Sequence, residues 1–145
     1  PEAVVIANGD MLRLAPGPAE VIDEAPAGRL HVDGKLIVPS IEGPAKFRRR
    51  LSFAGVVFLT VVLDEDGAVL AGPRIISEGL PAEAEDGESL SDILLEAVDE
   101  ALDKLPRARR RSDEAVAEAL RVAVRLAAEA EWGKKPICHV AVQRV

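Results

Sequence analysis

Eight residues, Val56–Leu63 (VVFLTVVL), are apolar except for Thr60 and rich in β-branched side chains. A run of that length and composition reads as a strand. Alternation places Val57, Leu59, Val61 and Leu63 on one face, and Val56, Phe58 and Val62 on the other. A sheet with one side in water shows polar residues on that side. This strand shows none beyond Thr60, so both faces require cover. Helices of the same chain can cover one face, and a neighbouring domain or a second copy of the chain the other. Asp64-Glu65-Asp66-Gly67 follows, with Asp-Gly as a hairpin turn, and Ala68–Ile76 is the return run, ending at Gly79.

Pro81–Glu88 is acidic and turn-rich and is expected to be an exposed loop. Ser89 or Ser91 can cap the helix that follows. Leu90, Ile93, Leu94, Ala97, Val98, Ala101, Leu102 and Leu105 recur at helical spacing, and Pro106 ends the run. Asp92, Glu96, Asp99, Glu100 and Asp103 occupy the opposite side as a solvated charge run. Ser112 or Asp113 caps a second helix, whose stripe is Val116, Ala119, Leu120, Ala123, Ala127 and Ala130. Arg121 and Arg125 lie one turn apart, away from that stripe. Gly133 closes this helix, and Ile137–Val145 is a final strand. The order β-β-α-α-β predicts an α+β domain over residues 45–145, a small three-stranded sheet with two helices on one face.

Residues 1–44 are expected to differ in kind. Val4–Ala7 reads as a short strand turned by Asn8-Gly9 into Asp10–Leu14. Ala19–Ile22 and Gly28–Val32 are further extended runs, with Asp33-Gly34 a second turn. Their apolar surface is too small for a core, so they read as edge strands belonging against something else. Pro39, Gly43 and Pro44 mark a linker. The chain opens on Pro-Glu-Ala with no Met and reads as a piece of a longer protein.

Composition removes several classes of function. The net charge of −7 argues against general polyanion binding, and three Phe, one Trp and no Tyr leave little to stack on nucleic-acid bases. A single cysteine, Cys138, fits a reducing, cytoplasmic setting. No apolar run reaches membrane-spanning length.

Several segments in order carry a family resemblance: Ile6-Ala7-Asn8-Gly9, Gly28-Arg-Leu-His-Val-Asp-Gly34, and Arg49-Arg50-Leu51-Ser52 ahead of Gly55 and the strand ending in Leu63-Asp64. Pro73 and Gly79 then punctuate the return strand, and Trp132-Gly133-Lys134-Lys135-Pro136 precedes the last one. In this order the chain resembles the C-terminal region of the bacterial ribonuclease J family. The resemblance implies a metallo-β-lactamase/β-CASP enzyme that processes and degrades RNA, exonucleolytically 5′→3′ or endonucleolytically, with zinc in the intact enzyme. Residues 1–44 would then be the last strands of a β-lactamase-like core plus linker. The family's metal motifs have no counterpart here, so this chain by itself is expected to be non-catalytic, without a cofactor, and to serve dimerisation and the positioning of RNA.

The residues themselves fit that expectation. His31 and His139 are the only histidines and have no metal-ligand spacing. Cys138 and His139 are strand neighbours on opposite faces, which separates a thiol from the base it would need. Basic clusters remain: Lys46, Arg48, Arg49 and Arg50, then Lys134 and Lys135, are candidates for RNA phosphate contact. Arg107, Arg109, Arg110 and Arg111 form a third cluster, whose plainer role is to balance the acidic helix they follow. Phe58 and Val62 are candidates for self-association as a homodimer. An alternative is a protein-interaction module that recruits a helicase or another ribonuclease through the acidic loop and helix.

Overall fold

The computed structural model describes residues 3–40 and 43–145. Two compact units divide the chain, Pro1–Arg48 and Arg49–Val145.

In the first unit, β1 (Asp10–Arg13) pairs antiparallel with β2 (Glu20–Glu24), and β3 (Leu30–Asp33) with β4 (Leu36–Pro39). None of its described residues is buried. The Asn8-Gly9 turn forms, but Val4–Ala7 is not a strand. The Ala7 N–H donates to the Asp10 carboxylate at 2.6 Å instead of to a ladder, and β1 finds its partner across Ala15–Pro18. The second turn falls on Gly34-Lys35, one residue later than expected, and admits β4. Of the expected linker, residues 41 and 42 lie outside the described residues.

Helix α1 (Pro44–Ala54) leads into the central strand. Its limits have plain causes. Pro44 occupies the first helical position, where no N–H is needed. Gly55 ends the helix at φ +64°, and its N–H donates to the Leu51 carbonyl at 2.7 Å.

The second unit is built on β5 (Val56–Leu63), the middle strand of three. β6 (Val69–Glu78) pairs with it antiparallel through the Asp64–Gly67 turn. β7 (Ile137–Arg144) lies on its other side and runs parallel, because the helices cross over between the two. Those helices are α2 (Leu90–Lys104), the single turn α3 (Arg107–Arg110) and α4 (Asp113–Trp132). The Ser89 and Ser112 hydroxyls accept from Asp92 N and Ala115 N and cap α2 and α4. Gly133, at φ +73°, closes α4.

The core is one cluster. Val57, Leu59, Val61 and Leu63 of β5 and Cys138 of β7 meet Leu90, Leu94, Val98 and Leu102 of α2 and Val116, Leu120, Val124 and Ala128 of α4. The stripe of α4 is therefore an i, i+4 series through Val124 and Ala128. Ala130, expected in it, is exposed, since a straight four-residue row drifts away from the 3.6-residue mean. α2 and α4 cover one face of the sheet.

Arg144 fastens the end of β7. Its Nε donates to Asp113 Oδ1 at 2.5 Å, and its two terminal nitrogens donate to the carbonyls of Asp64 and Arg110 at 2.7 and 2.6 Å. Arg110 in turn donates to the carbonyls of Leu105 and Asp103 at 2.9 and 3.2 Å, satisfying the exposed end of α2. One guanidinium thus holds three chain segments and the other caps a helix.

Candidate functional site

Arg48, Lys134 and Lys135, three of the six cations of the expected phosphate clusters, have identified partners. Arg48 pairs with Asp33 at 2.8 Å. Lys135 pairs with Glu129 at 2.8 Å. Lys134 lies over the rings of Phe53 and Trp132, at 4.6 and 4.8 Å, and donates to the Phe53 carbonyl at 3.2 Å. Ion pairs this exposed are worth less than about 1 kcal/mol. The aromatic sandwich on Lys134 is a firmer commitment. Lys46, Arg49 and Arg50 lie on α1 and are exposed. In the arginine connector Arg110 is used internally and Arg111 pairs with Asp66 at 2.7 Å, which accounts for two of the four cations structurally.

The sheet face turned away from α2 and α4 is the second candidate. Phe58 and Ile76 are a cross-strand pair there, 46% and 52% exposed, and Val62 is half-buried beside them. Phe58 also stacks on His139 of β7, with centroids 5.4 Å apart and planes 17° from parallel. A cleft of about 380 Å³ opens between Phe58, Thr60, Val62, Arg74 and Ile76. Sequence pattern places Phe58 and Val62 on this face. Ile76, Arg74 and His139 join them only through the strand register, which a single strand's alternation does not reveal.

Metal chemistry has no footing among the described residues, where no group of three or more His, Cys, Asp or Glu side chains converges. His139 is held by Phe58, and Cys138 faces the helices from the opposite side of β7. The residues present do not fit a zinc site. Burial pushes the Cys138 thiol above its ordinary pKa, partly offset by the nearby Arg121 and Arg125 guanidinia. A thiol so shifted is protonated at neutral pH and a poor nucleophile. Because folding raises this pKa, the folded state loses stability as pH climbs past the unfolded thiol's value of about 8.5. Denaturant unfolding at pH 7.5 and 9.5 is expected to show a smaller loss in Cys138→Ala than in the parent chain. Equal losses would mean the thiol does not titrate differently on folding.

The fold and these surfaces describe an α+β domain with one covered and one open sheet face. Comparison with known proteins gives the class: the family described as the ribonuclease J C-terminal domain matches residues 46–145, and the chain belongs to that family. It is similar to ribonuclease J of Sinorhizobium meliloti (strain Sm2011 / Rm2011 / 2011), 46% identical over 145 residues, which cover 100% of this chain and 26% of that protein. The chain thus spans about a quarter of the length of this relative. No helix among the described residues is long and apolar enough to cross a membrane.

Proposed function

We propose that this chain is the non-catalytic C-terminal portion of a cytoplasmic, zinc-dependent ribonuclease, and that it joins two copies of that enzyme and helps orient RNA toward their catalytic domains. Residues 1–44 would complete a β-lactamase-like core. The exposed apolar side chains of its strands, among them Val21, Ile22, Leu30, Ile37 and Val32, support that assignment.

The open sheet face carries the reading. It is apolar at its centre, at Phe58, Val62 and Ile76. Its β6 edge is self-complementary. Arg74 and Glu78 flank Ile76 on the same side of the strand and are both exposed, so a two-fold axis near Ile76 would bring each against the other's counterpart. A second copy is the occupant that this arrangement suits best.

Sedimentation equilibrium at tens of micromolar tests it. The chain is expected to be dimeric, and Phe58→Glu, which places charges against each other across the axis, to give monomer with unchanged Trp132 fluorescence. A parent chain that sediments as a monomer would end the proposal.

A further inference from the structure

One basic locus cuts across the clusters that the sequence marks. Arg121 and Arg125, one turn apart on α4, and Lys135, in the loop before β7, line a single cleft of about 170 Å³. Its other walls are Val122, Leu126 and Glu118. Val122 and Leu126 are exposed, so the cleft has an apolar wall beside its cations. Such a wall lowers the local dielectric and strengthens a charge contact made next to it.

The cations are not equally committed. Arg121 pairs with Glu118 and Lys135 with Glu129, both at the surface. Arg125 differs: its Nε is buried and has no hydrogen-bond partner among the described residues. That nitrogen is closed to solvent, so a ligand in the cleft would meet Arg125 through the rest of its side chain. Three cations line the cleft against one carboxylate, Glu118, and this balance favours an anionic ligand. A guanidinium fork matches the oxygens of a phosphoryl group, as it does those of a carboxylate.

We propose that Arg121, Arg125 and Lys135 form a phosphoryl-binding site. The two surface ion pairs open on binding, and Lys135 and Arg121 turn to the phosphate. Val122 and Leu126 lie where the sugar or base attached to that phosphate would rest. The phosphoryl group belongs either to an RNA backbone or to a free phosphorylated small molecule. The RNA arm rests on the function proposed above, whereas the site itself does not.

The test uses the whole 145-residue chain, with inorganic phosphate and a fluorescein-labelled single-stranded RNA as separate probes. Titration with millimolar phosphate, followed by amide chemical shifts, is expected to perturb Arg125, Arg121 and Lys135 together. RNA binding, followed by anisotropy, is expected to weaken about tenfold in Arg125→Gln and in Lys135→Gln. The slope of log K against log salt should fall by about 0.7 for each phosphate no longer held. Two variants are used so that a folding defect in one, visible in Trp132 fluorescence, leaves the other to decide. Shifts with phosphate but no RNA binding would keep the site, assign it to a small phosphorylated ligand, and remove RNA orientation from the proposed function. Chemical shifts at these three residues that do not respond to phosphate, with RNA affinity unchanged in both variants, would overturn the site.

Discussion

Val98→Asp is expected to cost the Arg49–Val145 unit roughly 3–5 kcal/mol, enough to lower its unfolding temperature by about 15 °C or more. Val98 is 0% exposed and lies in the middle of α2, within the cluster formed by β5, α2 and α4. No cation faces that cluster from β5, whose core side chains are all aliphatic, so a carboxylate there is unpaired. It must either stay charged in an apolar medium or take up a proton at neutral pH, and both cost free energy. Trp132, the only tryptophan, lies in the same unit and reports its unfolding separately from residues 3–48. A variant that melts within a few degrees of the parent would show that this stripe of α2 does not face the core.

Gly67→Ala is expected to cost about 2–3 kcal/mol, and Gly87→Ala about 1 kcal/mol. The two glycines share one conformation, φ +86° and +87°. A methyl group at Gly87 points into open space, so that substitution measures only the cost of a left-handed alanine. At Gly67 the same methyl group would come within 2.4 Å of the Arg110 Cβ and 2.8 Å of the Arg110 carbonyl oxygen. That carbonyl is the one Arg144 holds, so relief requires the clasp to shift. Equal losses in denaturant titrations of the two variants would mean that the β5–β6 turn does not press on α3.

Elements with strong local chemistry are legible in the sequence alone. Ser89 and Ser112 sit where a cap is needed, Leu90 to Leu105 repeat at helical spacing, and Gly133 follows the last apolar turn. Helix α1 is hidden because Pro39, Gly43 and Pro44 together suggest a break, although Pro44 at the start and Gly55 at the end are also helix limits. Along α4 the apolar positions are mostly alanines, which show little contrast between buried and exposed sites, so the pattern alone does not single out Val124 and Ala128. The candidate surfaces are legible only in part. Charge clusters can be counted from sequence, but the partners that occupy them cannot. Asp33 lies fifteen residues before Arg48, and Glu129 binds Lys135 across the end of a helix. Arg121 and Arg125 are visible as a pair on α4. Their meeting with Lys135 depends on where the chain goes after Gly133.

The parallel pairing of β5 with β7 sets how this unit acquires its structure. Arg144 and the Asp64 carbonyl it holds are 80 residues apart in the chain. The β5–β6 hairpin closes through a four-residue turn and needs only microseconds. The edge of β5 that takes β7 has no partner until the crossover through α2 and α4 closes. Closure of so long a loop is the slow, topology-limited step, in the range of milliseconds rather than microseconds. During that interval β5 presents unpaired backbone groups beside apolar side chains, the condition in which chains associate wrongly. Shortening the time that edge stays open, rather than adding contacts to the finished sheet, is therefore the route by which changes in α2 or α4 would raise the yield of folded protein.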